Sequence, residues 1–242
     1  MAKITTIFID DGGVMSDNSL RPPEWRRLVG EYFAQRLGGN ASAWSEANRI
    51  VFSHLESMLI TGHGQQDYIS WFDGYQIRWL REMAAHAGVR TPSDDNECLN
   101  IVWDSVDYIT QHVHSVFPGA TEAIKLLYAN GFTLFTSSGE HSRELQGYLK
   151  GIGVHNCFKT LYGSDLINYG KYSVEYYRRI FENSHIVLNE VLVVDDKPEY
   201  LSWAASLGAK TCLVNPGPYR KSESDFVVSK LAELPAALEM KK

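Results

Sequence analysis

The chain lacks the means to hold nucleic acid, to span a membrane or to build a disulfide framework. Its 23 Lys and Arg are outnumbered by 29 Asp and Glu, leaving a net charge of −6. No Lys/Arg cluster exists to displace counterions along a phosphate backbone, which excludes a nucleic-acid partner. No run of about 18 apolar residues occurs, so no segment reads as a transmembrane helix and no membrane role is expected. The start, MAKITTIFI, has a very short apolar run and is not laid out as a signal peptide. Three cysteines, Cys98, Cys157 and Cys212, are widely spaced, odd in number and without a CxxC pair. They are expected to be reduced, mostly buried thiols of a cytoplasmic protein.

Four short β-rich segments are present: Thr5 to Asp10, Phe132 to Thr136, Val191 to Asp195 and Lys210 to Val214. Each is a nearly continuous apolar or β-branched run, the pattern of a strand buried on both faces of a parallel sheet. Helical patterns alternate with them, such as GATEAIKLLYANG, and PEYLSWAASLGA with Pro at its first helical position. The alternation predicts an α/β fold with an open, doubly wound parallel sheet. Between Asn18 and Ser115 the pattern changes to four amphipathic segments of helical length with no strand signal. Residues 1–17 and 116–242 are therefore expected to form the α/β core, and 18–115 an inserted α-helical cap. The tail KLAELPAALEMKK reads as a closing amphipathic helix.

Ligands of open parallel sheets bind beyond the carboxyl ends of the strands. Asp10 and Asp11 follow the first strand, Ser137, Ser138 and Gly139 the second, and Asp195 and Asp196 the third, while Lys171 lies in the polar loop NYGKYS. Clustered carboxylates raise one another's pKa unless a cation offsets them. Oxygen ligands of this kind suit Mg²⁺, and the hydroxyls, backbone N–H groups and Lys171 suit a dianion. Together they predict a phosphoryl-transfer site. Taken singly, each motif has a plainer reading: Asp-Gly is ordinary turn chemistry, and Asp-Asp-Lys-Pro an ordinary helix start.

The four stations FIDDGGV, FTSSG, GKYS and VVDDKPEYLSWAASLGA, in that order, resemble the four motifs of the haloacid dehalogenase superfamily, which consists mostly of phosphatases. The resemblance runs over the whole chain and implies a Rossmann-like core with a helical cap. It implies Asp10 as the nucleophile that forms an aspartyl-phosphate, Ser137 as the hydroxyl that holds the phosphoryl group, and Ser138 as a backbone N–H donor beside it. Asp11 and Gly12 fall in the same phosphate-binding loop. Lys171 matches the charge-offsetting lysine. Asp10, the carbonyl of Gly12, Asp195 and Asp196 match the Mg²⁺ ligands. Two registers stay open: Thr136 competes with Ser137, and Asp11 with Asp10, although strand alternation and the GGV alignment place Asp10 first.

Two positions depart from the family pattern. Gly12 stands where most family phosphatases carry a second Asp that protonates the leaving alcohol, a function worth about 10² to 10⁴ in rate. Tyr172 stands where Pro often follows the motif lysine. The expected enzyme is a Mg²⁺-dependent phosphatase acting on a small phosphorylated metabolite, with sugar phosphates among the candidates. A metal-free 2-haloacid dehalogenase is the first alternative, compatible with Gly12 and opposed by the Asp195–Asp196 pair. A non-catalytic anion-binding protein is the second. In the cap, His54, His63 and His86 read as surface or structural residues. The tryptophans read mainly as core, and Arg21, Arg26 and Arg27 either as a clamp for a second anion or as solvated side chains.

Overall fold

The computed structural model describes residues 3–61, 67–215, 217 and 223–239, and for 56–61 the backbone alone. Six parallel strands form one sheet in the order β3-β2-β1-β4-β5-β6. They are β1 (Thr6–Ile9), β2 (Thr133–Ser137), β3 (Phe158–Tyr162), β4 (Val191–Asp195), β5 (Lys210–Val214) and β6 (Phe226–Val228). β1, β2 and β4 at the centre are almost wholly buried, as continuous apolar runs require. Alternation along β1 sends Ile7 and Ile9 to one face and Phe8 to the other.

Helices cover both faces. Ile7, Ile9, Leu134 and Leu192 pack with α5 (Ala120–Ala129) and the short α9 (Leu234–Ala237). On the opposite face Phe8 and Phe135 stack at 4.8 Å and meet α7 (Val174–Ser184) and α8 (Pro198–Ser206) through Tyr177, Phe181 and Leu201. Such a ring pair adds about 0.5 to 1.5 kcal/mol beyond the area it buries. The expected closing helix is shorter than its amphipathic pattern: a 3₁₀ turn, Leu231–Glu233, precedes the single turn of α9.

Between β1 and α5 lie α1 (Arg21–Leu37), α2 (Ala41–Thr61), α3 (Tyr68–Ala87) and α4 (Asp95–His112), which build a second apolar cluster around Phe33, Trp44, Trp79 and Val102. Trp44 is wholly buried and its indole N–H donates to Gly38 O at 2.8 Å, so this ring belongs to the core of the helical layer. α3 starts on Asp67, which accepts from Ser70 N, and ends on Gly88 in the left-handed region. His86 is exposed on α3, His54 sits on α2, and His63 lies outside the described residues.

Two contacts fix the helical layer over the sheet's carboxyl edge. α4 packs on α6 (Ser142–Gly151) at two glycines: a Cβ on Gly147 would fall 1.7 Å from Thr110 Oγ1, and one on Gly151 2.6 Å from the Gln111 carbonyl oxygen. The Arg143–Asp107 ion pair, 2.7 Å, closes the same contact. The side chain of Asn168 accepts from Tyr68 N at 2.7 Å, which ties the start of α3 to the loop that carries Lys171. Among the described residues no helix is long and apolar enough to cross a membrane. Cys98 and Cys212 are buried and Cys157 half-buried, all three as free thiols.

Candidate active site

Register brings the motifs together. Ile9 pairs with Thr136 on one side and Val194 on the other, so one residue further on Asp10, Ser137 and Asp195 stand level at the carboxyl edge. Asp10 N continues the ladder, donating to Val194 O at 2.9 Å. Residues level in a parallel sheet share a face, and their side chains converge.

Lys171 links the three. Its ammonium donates to Asp10 Oδ1 at 2.8 Å, Asp195 Oδ2 at 2.7 Å and the Ser137 carbonyl oxygen at 2.7 Å. Its three protons thus have three acceptors. Burial alone would depress this lysine, but the carboxylates of Asp10 and Asp195 outweigh that and hold it well above the ordinary value. Burial pushes the carboxyl of Asp10 up to about 8, against the pull of Lys171 and with the push of Asp195 and Asp11. One lysine does not balance the carboxylates gathered here.

Asp195 is wholly buried, and its second oxygen accepts from Lys197 N at 2.8 Å. Asp196 is less enclosed and pairs with Lys197 Nζ at 3.0 Å. Oxygens of Asp10, Asp195 and Asp196 lie within 4.8 Å of one another. Gly13 passes so close that a Cβ there would fall 2.5 Å from Asp196 Oδ2, and its φ of +87° is one that side chains rarely adopt. Gly13 is required on both counts.

Gly12 is different. No positive φ holds it, and the nearest atom to a Cβ there would be the side-chain oxygen of Asn18, at 2.8 Å. Asn18 fills the space that a larger residue at position 12 would use. The backbone does not impose the missing carboxylate.

Several sequence expectations are redrawn. The side chain of Asp11 turns from the converging face and is held by Arg21 Nη2 at 2.7 Å and Ser16 Oγ at 3.0 Å, so at most its main chain is left for a ligand. Ser138 N donates to Tyr162 O at 3.1 Å within the sheet, so the donor assigned to it is already engaged; Gly139, next along, lines the cavity. Thr136 Oγ1 also donates to Tyr162 O, at 3.1 Å, whereas Ser137 Oγ is buried with no hydrogen-bond partner. Of the two registers, Ser137 is the hydroxyl level with Asp10 and uncommitted. Arg21 is buried and paired, Arg27 is exposed and paired with Glu31, and Arg26 lines the cavity.

The sheet edge and the helical layer enclose a cavity of about 560 Å³. Asp10, Gly12, Gly139, Lys171 and Asp196 form its floor, and aromatic residues of α1 and α3, including Trp25, Trp71 and Tyr75, form much of its wall. Tyr200 stands by the floor, with the Lys171 ammonium 4.7 Å from its ring centre. The side wall carries Glu140, His141, Glu144 and Tyr148, none of which the motifs had named. His141 Nδ1 and Glu144 form a capping box at the start of α6. Burial first, and Glu140 second, hold the Glu144 carboxyl well above its ordinary range, and burial lowers His141. Besides Ser137 Oγ, two more buried polar atoms lack a partner among the described residues, Arg21 Nε and Asn48 Oδ1, and both residues line this cavity. Each such atom costs about 1 to 3 kcal/mol if left unsatisfied.

A family model described as a haloacid dehalogenase-like hydrolase matches residues 4–208. No curated protein matches the chain. Among solved structures, a 2-haloacid dehalogenase from Pseudomonas syringae aligns at TM-score 0.67 and 16% identity, over 98% of each chain. YfnB from Bacillus subtilis, bound to magnesium, aligns at 0.64 and 17%, over 99% of this chain and 100% of its own. A protein from Haemophilus somnus described as a predicted phosphoglycolate phosphatase aligns at 0.59 and 14%, over 98% and 99%. At these identities the structural likeness speaks for the fold, while the family model reaches from the first strand past α8. The chain belongs to the haloacid dehalogenase-like hydrolases.

Proposed function

We propose that this hydrolase is a Mg²⁺-dependent phosphatase of small phosphorylated metabolites, with Asp10 as its nucleophile. The observation that carries the reading is the carboxylate trio within 4.8 Å, whose charge one buried lysine offsets only in part. A dehalogenase acting on a neutral C–halogen bond has no use for the extra negative charge. An ester dianion needs a divalent cation to approach it. The donor set fits that ion: hard oxygens, of which those of Asp10, Asp196 and the Gly12 carbonyl would hold it, with Asp195, already bonded at both oxygens, as their acidic neighbour. When bound, Mg²⁺ would neutralise phosphoryl oxygens and the charge that develops on them.

The chain's own residues do the rest. Asp10, held in place by Lys171 at Oδ1, attacks phosphorus with one carboxylate oxygen, forms the aspartyl-phosphate and expels the alkoxide. Ser137 Oγ, without an internal partner, donates to a phosphoryl oxygen. Lys171 fixes the orientation of the attacking carboxylate and spreads positive charge beneath it. Water then cleaves the acyl phosphate, restoring Asp10 and releasing phosphate. The helical layer opens for substrate and closes to keep bulk water from the intermediate.

Phosphate release from phenyl phosphate is therefore expected with Mg²⁺ and is expected to vanish with chelator, returning on re-addition. Phosphate release undiminished by chelator would overturn the metal requirement, whereas halide release from a 2-haloacid with no phosphate release would favour the second reading, a 2-haloacid dehalogenase, which Gly12 allows.

With no carboxylate at position 12, protonation of the leaving oxygen goes unassisted from there. Esters of acidic alcohols should outrun simple alkyl esters. Gly12→Asp combined with Asn18→Ala, which clears the space, should raise kcat on an alkyl phosphate by about 10²-fold, the low end for a general acid. Leaving-group dependence of kcat in both proteins checks this. An unchanged dependence would mean that another group already supplies the proton.

A further inference from the structure

The helical layer meets the core at two places of unlike strength. At α4 and α6 the backbones touch through Gly147 and Gly151 with no room for a Cβ, and a contact packed that closely does not readily part and re-form. At the far side, Asn168 Oδ1 accepts from Tyr68 N at 2.7 Å and from Ile69 N at 3.3 Å, the first two N–H groups of α3. Two N–H donors on one atom fix that atom as the amide oxygen. A helix start leaves such donors without an intrahelical partner. α3 already carries its own cap, Asp67, which takes Ser70 N at 3.2 Å. Asn168 is a second cap, supplied by the core.

The segment that carries Asn168 is braced. Arg179 on α7 donates to Ile167 O at 3.2 Å and to Asn168 O at 3.5 Å, and its guanidinium lies 4.4 Å from the centre of the Tyr169 ring. Tyr169 Oη shares a hydrogen bond of 3.0 Å with Ser173 Oγ, and its ring centre is 4.7 Å from that of Tyr172. Tyr172 stands where the family pattern often has proline; here the ring pair supplies the stiffness that a fixed φ would give. Residues 167–173 therefore move as one piece, which carries both Asn168 and Lys171. Asn168 itself has a φ of +48°, a conformation that Asn adopts more readily than most side chains.

We propose that Asn168 is a positioning residue: it bonds the start of α3 only when the helical layer is closed, and so couples closure to the placement of the Lys171 ammonium on Asp10. The α4–α6 contact is the pivot and persists in both states. The Asn168 bonds lie toward the rim and are exchanged for water on opening. Asp67 bonds Ser70 within α3, open or closed, so it cancels from the closing equilibrium. The assignment rests on Asp10 and Lys171 as the working pair and holds whether phosphorus or carbon is attacked.

The test compares the native protein with Asn168→Gly, Asn168→Asp and Asp67→Ala. It reads kcat/KM for phenyl phosphate with Mg²⁺, and acrylamide quenching of tryptophan fluorescence without substrate. Trp25 and Trp71 line the cavity, so opening exposes them. Gly takes the same φ and lacks the acceptor, whereas Asp keeps it. Asn168→Gly is expected to lower kcat/KM about tenfold, the worth of one or two such hydrogen bonds, and to increase quenching. Asn168→Asp should restore both, and Asp67→Ala should stay within about twofold of native in both. A merely structural cap would instead make Asp67→Ala as costly as Asn168→Gly. That result, or unchanged kcat/KM or unchanged quenching in Asn168→Gly, would overturn the latch and leave the phosphatase reading intact. No phosphate from the native protein would overturn the phosphatase reading alone, and quenching, which needs no substrate, would still decide the latch.

Discussion

Asp10→Asn is expected to lower phosphate release on the order of 10⁴-fold or more, with the fold retained. An amide oxygen is too weak a nucleophile to form the acyl phosphate, and removal of a covalent nucleophile is among the largest single losses known in enzymes. The substitution keeps side-chain shape and lets Lys171 keep Asp195 and the Ser137 carbonyl. Steady-state rates beside a thermal melt separate chemistry from folding. If Asp10→Asn retained a tenth of the native rate, the nucleophile would lie elsewhere. Asp11 would not be the substitute, since its carboxylate is held by Arg21.

Lys171→Met is expected to damage both stability and rate. Without the ammonium, Asp10 and Asp195 face each other at a buried edge with no counter-charge, and stripping one partner from a buried ion pair costs about 3 to 5 kcal/mol. In a chain of this size that is a fall of roughly 6 to 20 °C in melting temperature. The folded pKa of Lys171 lies above the ordinary 10.5, so its contribution is complete at neutral pH and is withdrawn only as pH rises past that value and through the folded one. The variant should therefore be destabilised at pH 7, and Mg²⁺ should raise its melting temperature more than that of the native protein. Turnover should drop by about 10² to 10³, the usual loss for one preorganised electrostatic contact. A variant as stable as the native protein would show that the carboxylates are balanced by something other than this lysine.

How much of this was legible in the sequence depended on how local each signal was. β1, β2, β4 and β5 are nearly continuous apolar or β-branched runs, and the alternation of strand and helix gave the doubly wound sheet. β3, with its exposed and half-exposed middle residues, and the three-residue β6 carry no such run, because edge strands meet neighbours on one side only. α6 carries Gly147 and Gly151, which weaken a helical pattern and are there because α4 lies too close for a Cβ. Within the site, Asp10, Ser137, Asp195 and Asp196 at strand ends and Lys171 in its loop fall into four short motifs. Partnerships across the helical crossing did not. Nothing local tells that Arg21 reaches back ten positions to take Asp11. Nor does Asn48, polar within an amphipathic helix, reveal that it is buried beside a cavity. The glycine at position 12 was visible from the motif, but only packing shows that Asn18 stands in the vacated space.

The most direct test of the central claim sets the two reactions of the superfamily side by side on one preparation. Phosphate release from phenyl phosphate and sugar monophosphates, and chloride release from 2-chloropropionate, would be measured with Mg²⁺ and again with chelator. The carboxylate trio around Lys171 predicts phosphate release that requires the metal, and no chloride under either condition. Chloride release that continues in chelator, without phosphate release, would contradict the account and make Asp10 a nucleophile for carbon.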